Sequence, residues 1–213
     1  MSGAEAAGEA WLAVSDGLVA GVHHALNNRL GTVSALVQLA ALGGGGGMDP
    51  ARALRDEMER LGDTLRLLSL IPRRPGEEPI PLQLGDVLAD ALALVAQHRE
   101  ARDVEFAVET APDLLPVLCP ETALAHALLA LLVGAGTAAR ETGAARVAVR
   151  CTGDERRVTV EVEPEGGAAG GAVDGAGLAA LFAAAGGSVE ATGSRTAARL
   201  PTLLAGRGSR PAG

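Results

Sequence analysis

Apolar residues recur at helical spacing along the N-terminal stretch, at Val19, Val22, Leu26, Leu30, Val33 and Val37. At about 100° per residue these side chains fall on one arc, roughly 160–240° from the direction of His24. His24 therefore points away from the apolar stripe, and Asn28 stands beside it one turn on. Gly17, Gly21, Gly31 and Ala35 lie within about 60° of the same direction. One imidazole and one amide thus stand on a stripe almost bare of side chains. Exposed glycine in a helix costs roughly 1 kcal/mol relative to alanine. The pattern predicts a compensating gain, close approach of another protein, with Gly17, Gly21, Asn27, Gly31 and Ala35 as the docking residues. His23, about 70° from the centre of the apolar arc, reads as a rim residue.

This helix is predicted over Glu5–Leu42 and stops at the glycine run Gly43–Gly47. Asp49-Pro50 restarts the chain as N-cap and first helical residue. Leu54, Met58, Leu61, Leu65 and Leu68 then alternate by four and three, a heptad seam. Arg52, Arg55, Asp56, Glu57, Glu59, Arg60, Asp63 and Arg66 form its predicted solvated face. The two helices predict an antiparallel hairpin over 5–71. Two helices cannot enclose a core, so pairing of two copies into a four-helix bundle completes it.

Pro72, Pro75, Pro79 and Pro81 mark a linker over 72–81. Beyond it the element types alternate. Helices are predicted at Leu84–Ala101, Glu121–Glu141 and Leu178–Ala185. Strands are predicted at Val104–Glu109, Val117-Leu118, Arg146–Thr152, Arg157–Glu163, Ser188–Thr192 and Thr196–Leu200. Gly153-Asp154-Glu155-Arg156 reads as a hairpin turn and Glu165–Gly177 as a glycine-rich loop. The fold class is α+β: a long helical hairpin, then an α/β sandwich over 82–204 with helices on one face of a mixed sheet, and a disordered tail over 205–213.

Composition narrows the function. The chain has 213 residues, 48% of them hydrophobic but only 1% aromatic, so Ala, Leu and Val must fill the core. It has no Lys, which excludes a Walker-type phosphate loop. A net charge of −8 argues against nucleic acid. No apolar run reaches the roughly 18–20 residues of a membrane span, and no basic-then-apolar leader opens the chain. A cytoplasmic protein is expected, with Cys119 and Cys151 as reduced core thiols and a disulfide between them as the alternative. His98 and His126 lack clustered ligands, so no metal site is expected.

The run His24-Ala25-Leu26-Asn27-Asn28-Arg29-Leu30, on a helical hairpin that precedes such a sandwich, resembles the core of two-component histidine kinases. The resemblance puts His24 at the phospho-accepting position and Asn28 at the amide position one turn later. It makes 82–204 a counterpart of the ATP-binding domain. The departures are specific. The kinases carry an acid after the histidine; here it is Ala25. They carry a Mg²⁺-holding Asn late in the long helix; here Gly134 stands in Leu131-Leu132-Val133-Gly134. They read adenine with an Asp before a glycine box; here Pro164 or Glu165 takes that place. Only Gly175-Ala176-Gly177-Leu178 is similar to their second glycine box. The resemblance therefore implies a histidine phosphotransferase of kinase-like architecture with a degenerate nucleotide site at Gly134, Pro164, Glu165, Gly175 and Gly177. Such a protein shuttles phosphate between receiver-domain aspartates through His24 without ATP. Its partners are response-regulator receivers and a second copy of itself. It binds no cofactor, and Mg²⁺ comes with the receiver. Asn28 would orient the histidine or a water, the latter giving phosphatase activity. Two alternatives stay open: a histidine kinase with residual or unconventional ATP binding, and a non-enzymatic pseudokinase adaptor that binds a response regulator.

Overall fold

The computed structural model describes residues 3–42, 49–68, 71, 78–166 and 175–207. Helix α1 (Gly3–Ala41) and helix α2 (Pro50–Leu68) form the hairpin. Asp49 caps α2: its Oδ1 accepts from the backbone N–H of Ala51 at 3.0 Å and of Arg52 at 3.4 Å. The Gly43–Gly47 run and residues 72–77 of the expected linker lie outside the described residues.

The sandwich follows as β1 (Ile80–Leu82), α3 (Leu84–Val95), β2 (Glu105–Thr110), β3 (Val117–Cys119), α4 (Glu121–Glu141), β4 (Arg146–Gly153), β5 (Arg157–Pro164), α5 (Gly175–Ala184), β6 (Ser188–Thr192), β7 (Arg195–Pro201) and α6 (Leu203–Arg207). The main sheet runs β2-β4-β5-β7-β6, with β2 parallel to β4 and the other pairs antiparallel. β1 pairs antiparallel with β3 in a separate two-stranded ribbon.

Several boundaries differ from the sequence reading. Ile80 and Pro81, at the end of the expected linker, already belong to the strand Ile80–Leu82; a two-stranded ribbon tolerates the missing N–H of Pro81. Residues 205–207 belong to α6 rather than to a tail, and 208–213 are outside the described residues. The glycine-rich loop gives way to α5 at Gly175, with 167–174 undescribed. The third helix stops at Val95, not Ala101, although Gln97–Arg102 is good helix-forming sequence. Tightened i→i+3 bonds follow, from Gln97 N–H to Leu94 O at 3.0 Å and from His98 N–H to Val95 O at 2.8 Å. The tighter turn brings His98 and Ala101 into the interior, where both are buried. Tertiary packing overrides local propensity there.

The sheet alternates cleanly. Val147, Val149, Cys151, Val158, Val160, Val162, Ala198 and Leu200 face inward and are buried, with β4 and β5 packed on α4. The outer face carries cross-strand ion pairs: Arg146 with Glu105 (2.7 Å) and Glu165 (3.7 Å), Arg150 with Glu109 (3.3 Å), Arg195 with Glu161, and Arg199 with Glu190 (2.8 Å). Helix α4 is itself long and apolar enough to cross a membrane, which the sequence reading denied to every run. Its most apolar window is 89% buried inside the sandwich. Cys119 and Cys151 are free and buried, and burial pushes the Cys119 thiol up to about 12.

One hydrophobic core spans both regions, because Ala10, Val14, Leu18 and Val22 of α1 join the cluster built on α4. The apolar arc of α1 is consequently divided. Val22 is fully buried, whereas Val19, Leu30 and Val37 are exposed, together with Leu12 on α1 and Met58 and Leu65 on α2. A helix of this width meets three surfaces; α2 and the sandwich cover two of them.

Candidate functional site

His24 lies near the middle of α1 and is exposed, as is Asn28. Helical rise stacks them one turn apart, with the Asn28 amide Nδ2 3.2 Å from His24 Nε2. When that amide donates, it engages the Nε2 lone pair and the ring proton sits on Nδ1. His23 and Asn27 repeat the arrangement at 3.3 Å on the adjacent face. The sequence thus builds two parallel histidine–amide pairs, offset by one residue. Ala25 is partly buried beside them and offers no acceptor for a proton.

Past His24 the hairpin is tied by a network that the sequence reading missed. Arg29 Nη1 meets Glu57 Oε1 at 3.0 Å, and Arg29 Nε donates to Thr64 Oγ1 at 3.1 Å. Arg60 Nη1 reaches the other Glu57 oxygen at 3.4 Å. Glu57 is 7% exposed, so it does not belong to the solvated face assigned to it. Two guanidiniums make its burial tolerable, and the link pins α1 to α2 just beyond the histidine. The signal was an arginine at the edge of the apolar arc of α1, opposite an acid on α2.

The expected docking stripe divides in two. Gly31 and Ala35 are exposed, and a Cβ added at Gly31 would meet nothing within 4 Å. Gly17 and Gly21 are packed against the chain's own sandwich. A Cβ at Gly17 would strike the His98 ring, and one at Gly21 the carbonyl oxygen of Gln97. This half of the stripe is therefore not a free surface.

Gly134 and Pro164 do come together, lining a hollow of about 80 Å³ with Leu131, Val162, Leu178 and Thr196. Small-molecule pockets usually measure about 300–1,000 Å³. Among the described lining residues none is charged. Glu165 is not in the lining; it pairs with Arg146 on the outer sheet face. Gly175 is open to solvent, and Gly177 packs on α1, where a Cβ would come within 2.6 Å of Ala10 Cβ. A roomier cleft of about 370 Å³ lies between α3 and the start of α4. Its Asp86 and Glu121 complement helix N-termini and its Asp90 pairs with Arg66 at 3.1 Å, so it holds no group suited to His24 chemistry.

No family model matches the chain, and no curated protein matches it. Solved structures do. The chain is similar to the Acinetobacter baumannii histidine kinase AdeS at 14% identity, covering 85% of this chain and 98% of that one, with a TM-score of 0.46. It is similar to the mycobacterial sensor histidine kinase MprB at 20% identity, over 60% of this chain and 97% of that one, with a TM-score of 0.39. The ATP binding domain of PrrB from Mycobacterium tuberculosis gives 21% identity, 59% and 98% coverage and a TM-score of 0.44. These are likenesses of architecture, and they assign no residue a role.

Proposed function

We propose that this chain is a histidine phosphotransferase that carries phosphate on His24 between receiver-domain aspartates. The observation that carries the reading is a contrast. An exposed histidine stands beside an amide one turn away, while among the described residues the hollow at Gly134 and Pro164 measures about 80 Å³ and is lined by no charged side chain. In the transfer, a neutral ring nitrogen of His24 forms the N–P bond with its lone pair. The P–O bond to the receiver aspartate breaks, and the carboxylate leaves with the electron pair. Mg²⁺ bound by the receiver would offset charge on the phosphoryl oxygens. For Nε2 to attack, the Asn28 amide must swing aside; an exposed hydrogen bond of this kind is worth about 0.5–1.5 kcal/mol, a small part of any barrier.

The functional unit is a homodimer in this reading. Leu12, Val19, Leu30 and Val37 on α1, with Met58 and Leu65 on α2, are the exposed apolar residues that a second hairpin would cover.

The test is incubation with a receiver phosphorylated on its aspartate. Acid-labile label should appear on the wild-type chain and on His23→Gln, and be absent from His24→Gln. Label persisting in His24→Gln but lost in His23→Gln would move the acceptor to the neighbouring pair. Ala25 favours a second reading, an adaptor that binds a receiver without taking phosphate; binding with no label on either histidine would establish it.

A further inference from the structure

The outer face of the main sheet is balanced in charge as a whole, but not row by row. The strand registers set Ser188, Arg199, Thr159 and Thr152 side by side across β6, β7, β5 and β4. Strand alternation turns this row outward, because the flanking Val158, Val160 and Leu200 face the core. The next row, Glu190, Ala197, Glu161, Arg150 and Glu109, holds three carboxylates. The row of Arg199 holds none. Arg157 stands two residues before Thr159 on the same face, and Arg156 precedes it in the β4–β5 turn.

Elsewhere on this face Arg146, Arg150 and Arg195 are paired with acids. Among the described residues Arg156 and Arg157 form no ion pair, and no hydrogen bond engages the hydroxyls of Thr152, Thr159 and Ser188. The acids nearby are engaged or solvated. Asp154 Oδ1 accepts from the backbone N–H of Arg156 at 2.7 Å and of Arg157 at 2.9 Å, which closes the turn. Glu155 is exposed. Glu190 meets one Nη1 of Arg199 at 2.8 Å and leaves the other donors of that guanidinium open.

Two hollows meet over the row. One, of about 420 Å³, is lined by Thr152, Arg157, Thr159 and Arg199. The other, of about 730 Å³, shares Arg157 and Arg199 and adds Ser188, Pro201 and Leu204. Both volumes fall in the usual small-molecule range of about 300–1,000 Å³. Arg157 lies opposite Pro201, so Arg157 and Arg199 form a cross-strand diagonal, about 7–8 Å apart. Two like charges that share a hollow repel each other until an anion lies between them.

We propose that this end of the outer sheet face binds an organic phosphate. The phosphoryl group lies between Arg157 and Arg199 within reach of the hydroxyl row, and an apolar body rests on Pro201 and the exposed Leu204. A phosphoryl group brings about −1.5 to −2 charges and three acceptor oxygens, which suits two guanidiniums and several hydroxyls. A carboxylate brings one charge and two oxygens. The site is on the opposite face of the sheet from α4, and it does not depend on the phosphotransfer reading.

The experiment titrates the full chain with phenyl phosphate, inorganic phosphate and benzoate, followed by amide NMR shifts and calorimetry. Phenyl phosphate should saturate, move the amides of Thr152, Thr159, Ser188 and Arg199, and bind about tenfold tighter than either other probe. Arg157→Gln and Arg199→Gln should each raise its Kd about tenfold, as loss of a charge-assisted contact does, and Thr159→Val should raise it less. Arg150→Gln, in the acid-bearing row, and His24→Gln should bind as the wild type does. Phenyl phosphate that fails to saturate, benzoate or inorganic phosphate that binds equally well, unchanged affinity in both variants at Arg157 and Arg199, or a loss in Arg150→Gln or His24→Gln would each overturn the proposal. A wild type that binds phenyl phosphate here but takes no label from a phosphorylated receiver would sink the phosphotransfer reading and leave this site standing.

Discussion

The two halves of α1 are built from similar residues and meet different fates. Both carry valine and leucine at helical spacing, and both place small residues on the His24 side. In the first half Val14, Leu18 and Val22 are buried and Gly17 and Gly21 are filled by the sandwich. In the second half Leu30 and Val37 are half exposed and Gly31 faces open space. His24 stands where one regime passes into the other. The lesson is that helical periodicity reports which residues seek a neighbour, and cannot say whether that neighbour is the same chain or another.

The contrast can be broken most severely at its centre: His24→Gln should abolish acid-labile labelling by a phosphorylated receiver. Next in size, Leu18→Ala in the covered half should cost about 2–5 kcal/mol in urea unfolding, as a fully buried leucine does. Leu30→Ala in the open half should leave monomer stability within about 1 kcal/mol and weaken self-association in sedimentation experiments instead. Arg29→Ala strands the buried Glu57 with one partner, and should destabilise the hairpin by about 1–3 kcal/mol in the same unfolding assay. A smaller effect of opposite sign is expected from Gly31→Ala, up to about 1 kcal/mol of added helix stability, read as a higher melting temperature. The subtlest effect is in pH. Burial holds the His98 imidazole below its ordinary 6.5, with Glu100 partly opposing. As pH falls, the unfolded chain takes up that proton before the folded one does. The contribution of the neutral ring is full above about 6.5 and fades below it. Unfolding free energy should therefore decline with acidity more steeply in the wild type than in His98→Gln.

The sandwich's elements were legible because its strands alternate strictly and α4 is apolar on every side; its bounds at Glu121 and Glu141 match the pattern. The α3–β2 turn was illegible for a physical reason. Gln97–Arg102 favours helix locally, whereas in the fold it makes a tighter turn that packs on Gly17 and Gly21. Glu57 misled in the same way: an acid among exposed charges shows its burial only once Arg29 is brought opposite. The contact between His24 and Asn28 was legible in their spacing, because helical rise alone brings them together. The glycine stripe was recognised as a place of close approach, but its N-terminal occupant lay much further along the chain.

The ion pairs on the outer face of the main sheet bear on how the molecule behaves in solution. Arg146, Arg150, Arg157, Arg195 and Arg199 stand among Glu105, Glu109, Glu161, Glu163, Glu165 and Glu190, and the two signs nearly cancel. Most of the net charge of −8 must then reside elsewhere. Seen from beyond a Debye length of about 10 Å, that broad face is electrically quiet. Approaching molecules feel the acidic remainder of the surface first, so the chain is oriented in an encounter before any contact is made.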